Sequence, residues 1–461
     1  MRRCHRRVNG LREVLSDSFV KQLEGVFGSR NVSTEHATRK AHSADYSWFS
    51  PLLRQHVNDA LADIVVWADK PDQLGQLLEL ASEKRIPIVA RGGGTGNYAQ
   101  SVPLMGGIVV DITRMRKILS IEDGCAIVEP GARLGELKAA AEDRDMTLRV
   151  YPSTYLVSTA AGFVEGGSGG VGSVEYGRLW DGNVDHVKLV GPSLKETLIH
   201  GKGLDGVIHS AGTTGLLTEV GLRLAPKREL AGVLVGFKTL KSSINFALRL
   251  ANTQNTHKRL LSLYEPAVTR YFEGSVRDRV LRGKTGFFQG FEESYVVMAI
   301  VDASAQDEVS RTLASSDRLG VEWLGGNEAE MLSDYTFNHT TLWATKQERA
   351  TWQHVFFEQQ SVVEHSHAIK EKYGNRILMH YEFIKSGEDI LPAGLPIVFF
   401  EEPQELIGML EYMRKLGVRV ENIHSYNLED RLDTEKIEAI RRLKALSDPD
   451  NILNPGKLRY Y

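Results

Sequence analysis

The run Arg91-Gly92-Gly93-Gly94-Thr95-Gly96-Asn97 carries almost no side-chain bulk between two charged or polar ends. Unencumbered N–H groups of such a run can converge on an anion, and a diphosphate matches the length of backbone on offer. Gly94 to Ala99 also satisfies G-x-G-x-x-A, the spacing of a dinucleotide loop that opens a helix. Here Pro103 and Gly106-Gly107 interrupt any helix beyond the loop and an apolar run starts at Ile108, so the loop joins two strands and the helix-opening reading fails. No G-K-[ST] completes this loop, as a nucleotide-triphosphate site would need.

Redox chemistry is constrained by cysteine. Cys4 and Cys125 are too few for a thiolate zinc site or an iron–sulfur cluster held by four cysteines, which leaves an organic cofactor. For proton transfer the candidate bases are His380 in Met379-His380-Tyr381-Glu382, His424 in Ile423-His424-Ser425-Tyr426, and His339 in Phe337-Asn338-His339. Tyr381 and Tyr426 are candidate donors to a substrate oxygen. Arg376 and Arg419 are candidate carboxylate clamps. Among 14 histidines each of these competes with an ordinary packed role, and none has metal-ligand spacing, so no metal is expected.

The elements that must carry these groups are readable from periodicity. Residues 63–68, 86–90, 108–112 and 126–129 read as strands. The spacing of Leu74, Leu77, Leu78 and Ala81 after Pro71 predicts a helix, as does that of Leu134, Leu137, Lys138 and Ala141. Residues 11–27 form a further helix. Of 43 glycines, 28 lie in residues 1–221, and residues 162–221 read as looped backbone packed close to a partner. Beyond Pro226, strands at 232–237, 295–301 and 376–383 alternate with a helix at 403–415, and a last helix spans 434–446. The expected class is α+β.

At 461 residues the chain is long enough for at least two folded units. A net charge of -3 offers no field for attracting nucleic acid, and none is expected as a partner. The longest apolar stretches, residues 295–301 and 395–400, fall short of the roughly 18–20 residues of a spanning helix. Neither a transmembrane segment nor a signal peptide is expected. The expected location is the cytoplasm; a membrane-peripheral position through the basic start Arg2, Arg3, His5, Arg6, Arg7 is the alternative to a solvated terminus.

Four segments in order resemble one family: the flavoenzymes with the FAD-binding domain of the vanillyl-alcohol oxidase and p-cresol methylhydroxylase (PCMH) type, in the branch of glycolate oxidase and D-lactate dehydrogenase. Pro87 to Asn97 is similar to the family's pyrophosphate loop. Pro152-Ser153-Thr154 through Ser158-Thr159-Ala160-Ala161-Gly162 to Gly169-Gly170 and Tyr176-Gly177 is similar to its second stretch. Gly212 to Val220 resembles "G-T-L-G-I-I-T-E", and Asp448 to Lys457 resembles the C-terminal "D-P-x-x-I-L-N-P-G-K". The resemblance implies a two-part FAD-binding PCMH-type domain and an antiparallel-sheet cap over the flavin, with the C-terminal segment returning to the FAD domain. The expected divisions are 1–56 (helical section), 57–228 (FAD domain), 229–430 (cap) and 431–461 (C-terminal helix and NPGK segment).

Carried over, the resemblance implies that Gly92, Gly93, Gly94, Thr95, Gly96 and Asn97 hold the FAD pyrophosphate, and that Pro152, Ser158, Thr159 and Gly162 lie along the flavin and ribityl part. Gly215, Leu217 and Thr218 would support the adenosine side, and Asn454 would reach toward the isoalloxazine ring. Ala161 and Phe163 stand where the family has Gly and Asn, and Ala211 where relatives often have Glu. No histidine lies in residues 92–97, so FAD is expected to be non-covalent. The implied reaction is oxidation of a small alcohol or 2-hydroxy acid by hydride transfer to flavin N5, with electrons passed to oxygen, a quinone or a protein. The metal-binding "H-x-G-D-G-N-x-H" of several relatives is absent. That absence favours an alternative, an accessory FAD-binding subunit of a glycolate-oxidase-like complex; a homodimer is the other assembly considered.

Overall fold

A computed structural model describes residues 16–254, 256–272, 287–314 and 316–459. Cys4, the basic start and the first five residues of the 11–27 helix lie outside them; the rest of that helix is Asp17–Phe27.

Two small sheets share one core. In the first, Ile64–Trp67 and Ile88–Arg91 both run parallel to Ile108–Asp111 between them, and Val32–Ser33 adds an antiparallel edge. The connection from Ile64–Trp67 to Ile88–Arg91 is the helix Asp72–Lys84, whose Leu74, Leu77, Leu78 and Ala81 are buried as their spacing predicts. Each leucine removed from water there contributes about 1.5–3 kcal/mol. The second sheet is antiparallel in the order Ile118–Glu122, Cys125–Val128, Leu216–Pro226, Val184–Gly191, Leu194–His200. Apolar side chains of both sheets and of the helices Asp72–Lys84 and Leu134–Glu142 meet in a single cluster.

Residues 162–221 are more regular than their glycine content suggests. They include the end of the helix Ala160–Gly166, two whole strands and half of a third. Glycines occur in or next to these strands where neighbours approach closely. A Cβ at Gly215 would crowd the Leu189 side chain, and one at Gly221 would crowd the His186 ring.

The remainder is built on an eight-stranded antiparallel sheet, ordered Arg318–Gly325, Leu230–Phe237, Tyr295–Asp302, Lys258–Tyr264, His380–Ser386, Asp389–Gly394, Val355–Phe356, Arg419–Val420. The helices Leu240–Asn252, Gln306–Ala314, Val362–Tyr373 and Pro403–Lys415 bury apolar stripes on one face. An aromatic cluster that includes Tyr264, Tyr271, Phe272, Phe288 and Tyr335 covers the other. The strand expected at 376–383 divides at Met379, whose N–H donates to Glu265 (2.8 Å). Ile377–Leu378 joins a separate three-stranded sheet, and His380–Ser386 enters the large one.

The last helix, Thr434–Ser447, turns the chain back to the first sheet. Ile88 N–H donates to Ile452 O (2.9 Å), and Asn454 N–H donates to Ile88 O (2.8 Å). Lys444 and Asp448 lock this return as a buried ion pair (2.6 Å), with Lys444 Nζ also donating to Thr213 O and Leu453 O.

Candidate active site

The strand Ile88–Arg91 delivers the chain into Gly92, where a Cβ would overlap Thr159 Oγ1; at Gly93 one would overlap the Val157 carbonyl. Only glycine lets these two segments touch. Gly94 follows with a left-handed φ of 64°. The contact is then pinned by hydroxyls: Thr95 Oγ1 lies 3.0 Å from Ser158 Oγ, which lies 2.8 Å from Thr154 Oγ1. Thr159 caps the helix Ala160–Gly166 by accepting from Gly162 N–H (3.2 Å). A narrow cleft results, walled by Gly92–Gly96, Thr159, Gly162, Glu165 and Gly212. Apart from the Glu165 carboxyl, its walls are largely backbone and small hydroxyls, the surface a diphosphate requires.

The cleft adjoins a cavity of about 560 Å³ between the small sheets and the large one. Thr95, Gly96, Asn97, Pro152, Ser158 and Gly162 line it from one side, while Phe337, His339, Leu342, Trp343, Ile384 and Leu395 line it from the other. Of the cofactor-binding residues expected from the sequence, Gly92 to Asn97, Pro152, Ser158, Thr159 and Gly162 are therefore brought to these two spaces. Gly215, Leu217 and Thr218 are not. Gly215 packs on Leu189, Leu217 is buried in the core, and the Thr218 hydroxyl donates to Glu196 (2.7 Å). Asn454 is also withheld from the cavity wall: its Nδ2 donates to Gln100 O and Ala211 O, both at 2.6 Å. It ties together the backbone on two sides of the cleft. Ala99, His209, Ala211 and Asn454 all have positive φ, so left-handed non-glycine backbone gathers around this one site.

The candidate catalytic residues are dispersed. His380 is fully buried away from the cavity, with Nε2 2.8 Å from Glu382 Oε1, Nδ1 3.1 Å from Thr340 Oγ1 and its ring stacked on Tyr264. Tyr381 points to the opposite face, as strand alternation requires, and donates to Ser366 Oγ (2.6 Å). Neither lines the cavity. His424 bonds Ser50 Oγ through Nδ1 (2.7 Å); burial, with help from His354 and Arg414, pushes its pKa down to about 3, so it is a neutral, packed ring. His339 alone of the four lines the cavity, with Nδ1 2.9 Å from Asp334 O. Arg376 pairs with Glu405 at the surface, and Arg419 lies over the Phe356 ring.

A different polar group stands in the cavity wall: Tyr98, His209, His354, Glu421 and Arg431. His354 Nδ1 lies 3.4 Å from both Glu421 Oε2 and Tyr98 Oη, and His354 Nε2 has no hydrogen-bond partner among the described residues. Burial raises the Glu421 pKa, but the His354 ring and Arg419 outweigh it, and the carboxyl sits below its usual range. Arg431 Nη1 donates to His209 Nε2 (3.0 Å) and the guanidinium lies over the Tyr98 ring, while Arg431 Nε and Nη2 have no partner among the described residues. His209, whose Nδ1 bonds Gly167 O, is pushed down to about 3 by burial and by Arg431. Burial chiefly raises Tyr98, which remains a phenol. Sequence reasoning missed these residues because they come from five separate segments and form no motif.

Residues 62–193 match the model of an FAD binding domain, and residues 423–458 match that of the FAD linked oxidases' C-terminal domain. The chain superposes on p-cresol methylhydroxylase with substrate bound (TM-score 0.71, 16% identity, 96% of both chains). The chain carries FAD binding and FAD linked oxidase C-terminal domains on a PCMH-type fold. A second solved structure, alkyldihydroxyacetonephosphate synthase, shares the fold at TM-score 0.73 and 18% identity over 96% of this chain and 85% of that one. By sequence, this flavoprotein is 25% identical to the glycolate oxidase subunit GlcD of Bacillus subtilis over 95% of its own length and 96% of the relative's. It is 23% identical to a D-lactate dehydrogenase of Archaeoglobus fulgidus over 86% and 91%. The cofactor of the flavoprotein is FAD, and the cleft built by residues 92–96 and 159–162 fits its diphosphate. No helix among the described residues is long and apolar enough to cross a membrane.

Proposed function

We propose that the flavoprotein oxidises the hydroxyl-bearing carbon of a small 2-hydroxy acid or alcohol, with His354 as the base and Arg431 as the carboxylate holder. The observation that carries this reading is the pair of unpartnered groups in one cavity wall, His354 Nε2 and Arg431 Nε and Nη2. A 2-hydroxy acid presents a carboxylate and a hydroxyl on adjacent carbons, which is the pair of functions these groups recognise. The names of two relatives, glycolate oxidase subunit and D-lactate dehydrogenase, point to the same substrate class.

When bound, FAD supplies the acceptor for the hydride leaving the substrate carbon. The chain's own residues do the rest. Arg431 holds the carboxylate through the nitrogens left free by His209. Glu421 accepts from His354 Nδ1–H, which leaves the Nε2 lone pair to take the hydroxyl proton. Tyr98, kept protonated, donates to the oxygen that becomes the carbonyl. Loss of the O–H proton to His354 and of hydride from carbon leaves a 2-keto acid. Apolar walls from Phe163, Leu342 and Trp343 exclude water from the reacting carbon. FAD is held without a covalent bond, and electrons pass on to oxygen, a quinone or a protein acceptor.

The absence of H-x-G-D-G-N-x-H favours a second reading, an accessory FAD subunit of a multi-subunit complex. Anaerobic addition of 2-hydroxy acids, sugar acids, polyols and aromatic alcohols to the purified chain separates the two. Bleaching of the flavin by a hydroxy acid supports catalysis by this chain, and a flavin that stays oxidised with every compound supports the accessory role.

A further inference from the structure

Glu165 is a buried carboxyl in the cofactor cleft that takes no part in the proposed oxidation. It lies near the end of the helix Ala160–Gly166, is 8% exposed, and lines the same cleft as Gly92–Gly96. No hydrogen bond or ion pair from the described residues reaches its carboxyl: Oε1 is without a partner, and Oε2 lies 3.8 Å from where a Cβ on Gly212 would stand. None of the ionisable groups on the elements packed round it bonds its carboxyl. Arg91, under Gly94, donates to Ala44 O (2.6 Å). Asp45, behind Gly96, accepts from Ser47 N–H (3.0 Å). His209 and Arg431 bond each other, and Lys457 Nζ donates to Ala99 O and Val102 O. An ionised carboxylate in this position would face a diphosphate with no cation bonded to it, at a cost that low local dielectric enlarges.

We infer that Glu165 acts as a neutral carboxylic acid that donates a hydrogen bond to a diphosphate oxygen of FAD. A protonated carboxyl adds an O–H donor to the Thr95 and Thr159 hydroxyls of the cleft, and the charged acceptor makes the bond strong. Burial alone accounts for the protonation, pushing the group up to about 8 before any cofactor is bound. FAD binding is then linked to the proton. Below pH 8 the acid is present and the cofactor binds fully; as pH rises above 8, ionisation must be reversed for FAD to bind, and affinity falls about tenfold per unit.

The test is the affinity of the full-length chain for FAD by flavin-fluorescence quenching from pH 6.5 to 9.5, for wild type, Glu165→Gln and Glu165→Ala. Wild type is expected to weaken roughly tenfold between pH 7 and pH 9. Glu165→Gln, a permanent neutral donor, is expected to match wild type at pH 7 within about threefold and to lose the decline, while Glu165→Ala shows the same flat profile but binds about 5–10-fold more weakly than Glu165→Gln at every pH. Calorimetry of FAD binding at pH 8.5 in buffers of different ionisation enthalpy is expected to show proton uptake in wild type and none in Glu165→Gln. Lys457 titrates in the same range but is retained in both variants, so the difference between curves belongs to Glu165. A flat wild-type profile, the same decline in Glu165→Gln, or no proton uptake by wild type overturns the inference. Should Glu165→Ala fail to fold, the difference between wild type and Glu165→Gln decides.

Discussion

The imidazole of His354 and the carboxylate of Glu421 stand 3.4 Å apart on adjacent antiparallel strand ends, where Glu421 N–H donates to His354 O (3.0 Å). The backbone bond fixes the pair before any side chain is considered. Its consequence is a histidine of the cavity wall with one nitrogen beside a carboxylate and the other without a partner among the described residues, the arrangement that sets a tautomer for proton abstraction.

Arg431 is expected to set affinity for acids. In Arg431→Lys the planar fork is lost, and KM for a 2-hydroxy acid rises about 10–100-fold, as for loss of a charge-assisted hydrogen bond. A neutral alcohol accepted by the wild type is expected to show little change in KM. Steady-state kinetics on both substrate types check this.

Gly93 is expected to control cofactor content. In Gly93→Ala the new Cβ meets the Val157 carbonyl, and separating the two segments costs about 1–3 kcal/mol, or about 5–100-fold in FAD affinity. The ratio of flavin to protein absorbance in the purified variant reads this directly, with circular dichroism showing that the fold is kept.

Much of this cofactor half was legible in the sequence, and for a physical reason. Gly92 and Gly93 are required by backbone-to-backbone contact, and the Asp448-to-Lys457 motif exists because Asp448 accepts from Ile452 and Leu453 N–H while paired with Lys444. Such local demands leave local signatures. The polar group in the cavity wall did not: His354 and Glu421 meet only through strand pairing of distant segments, and Arg431 joins them from the turn after Leu428–Asp430. Period-two alternation already forbade His380 and Tyr381 from facing one cavity together. Asn454 spends its Nδ2 on the Gln100 and Ala211 carbonyls, which the sequence did not foretell, and its Oδ1 has no partner among the described residues.

Lys457 gives a pH signature in stability. Burial pushes it down to about 7, against an ordinary value near 10.4, and nearby Asp45 only partly offsets this. Between these values the unfolded chain binds more protons than the folded one, so Lys457 raises stability as pH rises from 7 toward 10, by at most about 1.4 kcal/mol per unit. Thermal melts of wild type against Lys457→Met are expected to show wild type gaining relative stability from pH 7 to pH 9.

Non-covalent attachment predicts that acid precipitation releases the flavin. Yellow colour is expected in the supernatant, and colour retained in the washed pellet contradicts it.

The most direct measurement is anaerobic stopped-flow reduction of the bound flavin by a 2-hydroxy acid in wild type and His354→Asn, at matched FAD occupancy. With His354 as the base, wild type bleaches rapidly and the variant at a rate about 10²–10⁴ lower, with the cofactor still bound. Equal rates in the two proteins, or a wild-type flavin that no hydroxy acid or alcohol reduces, would contradict that role.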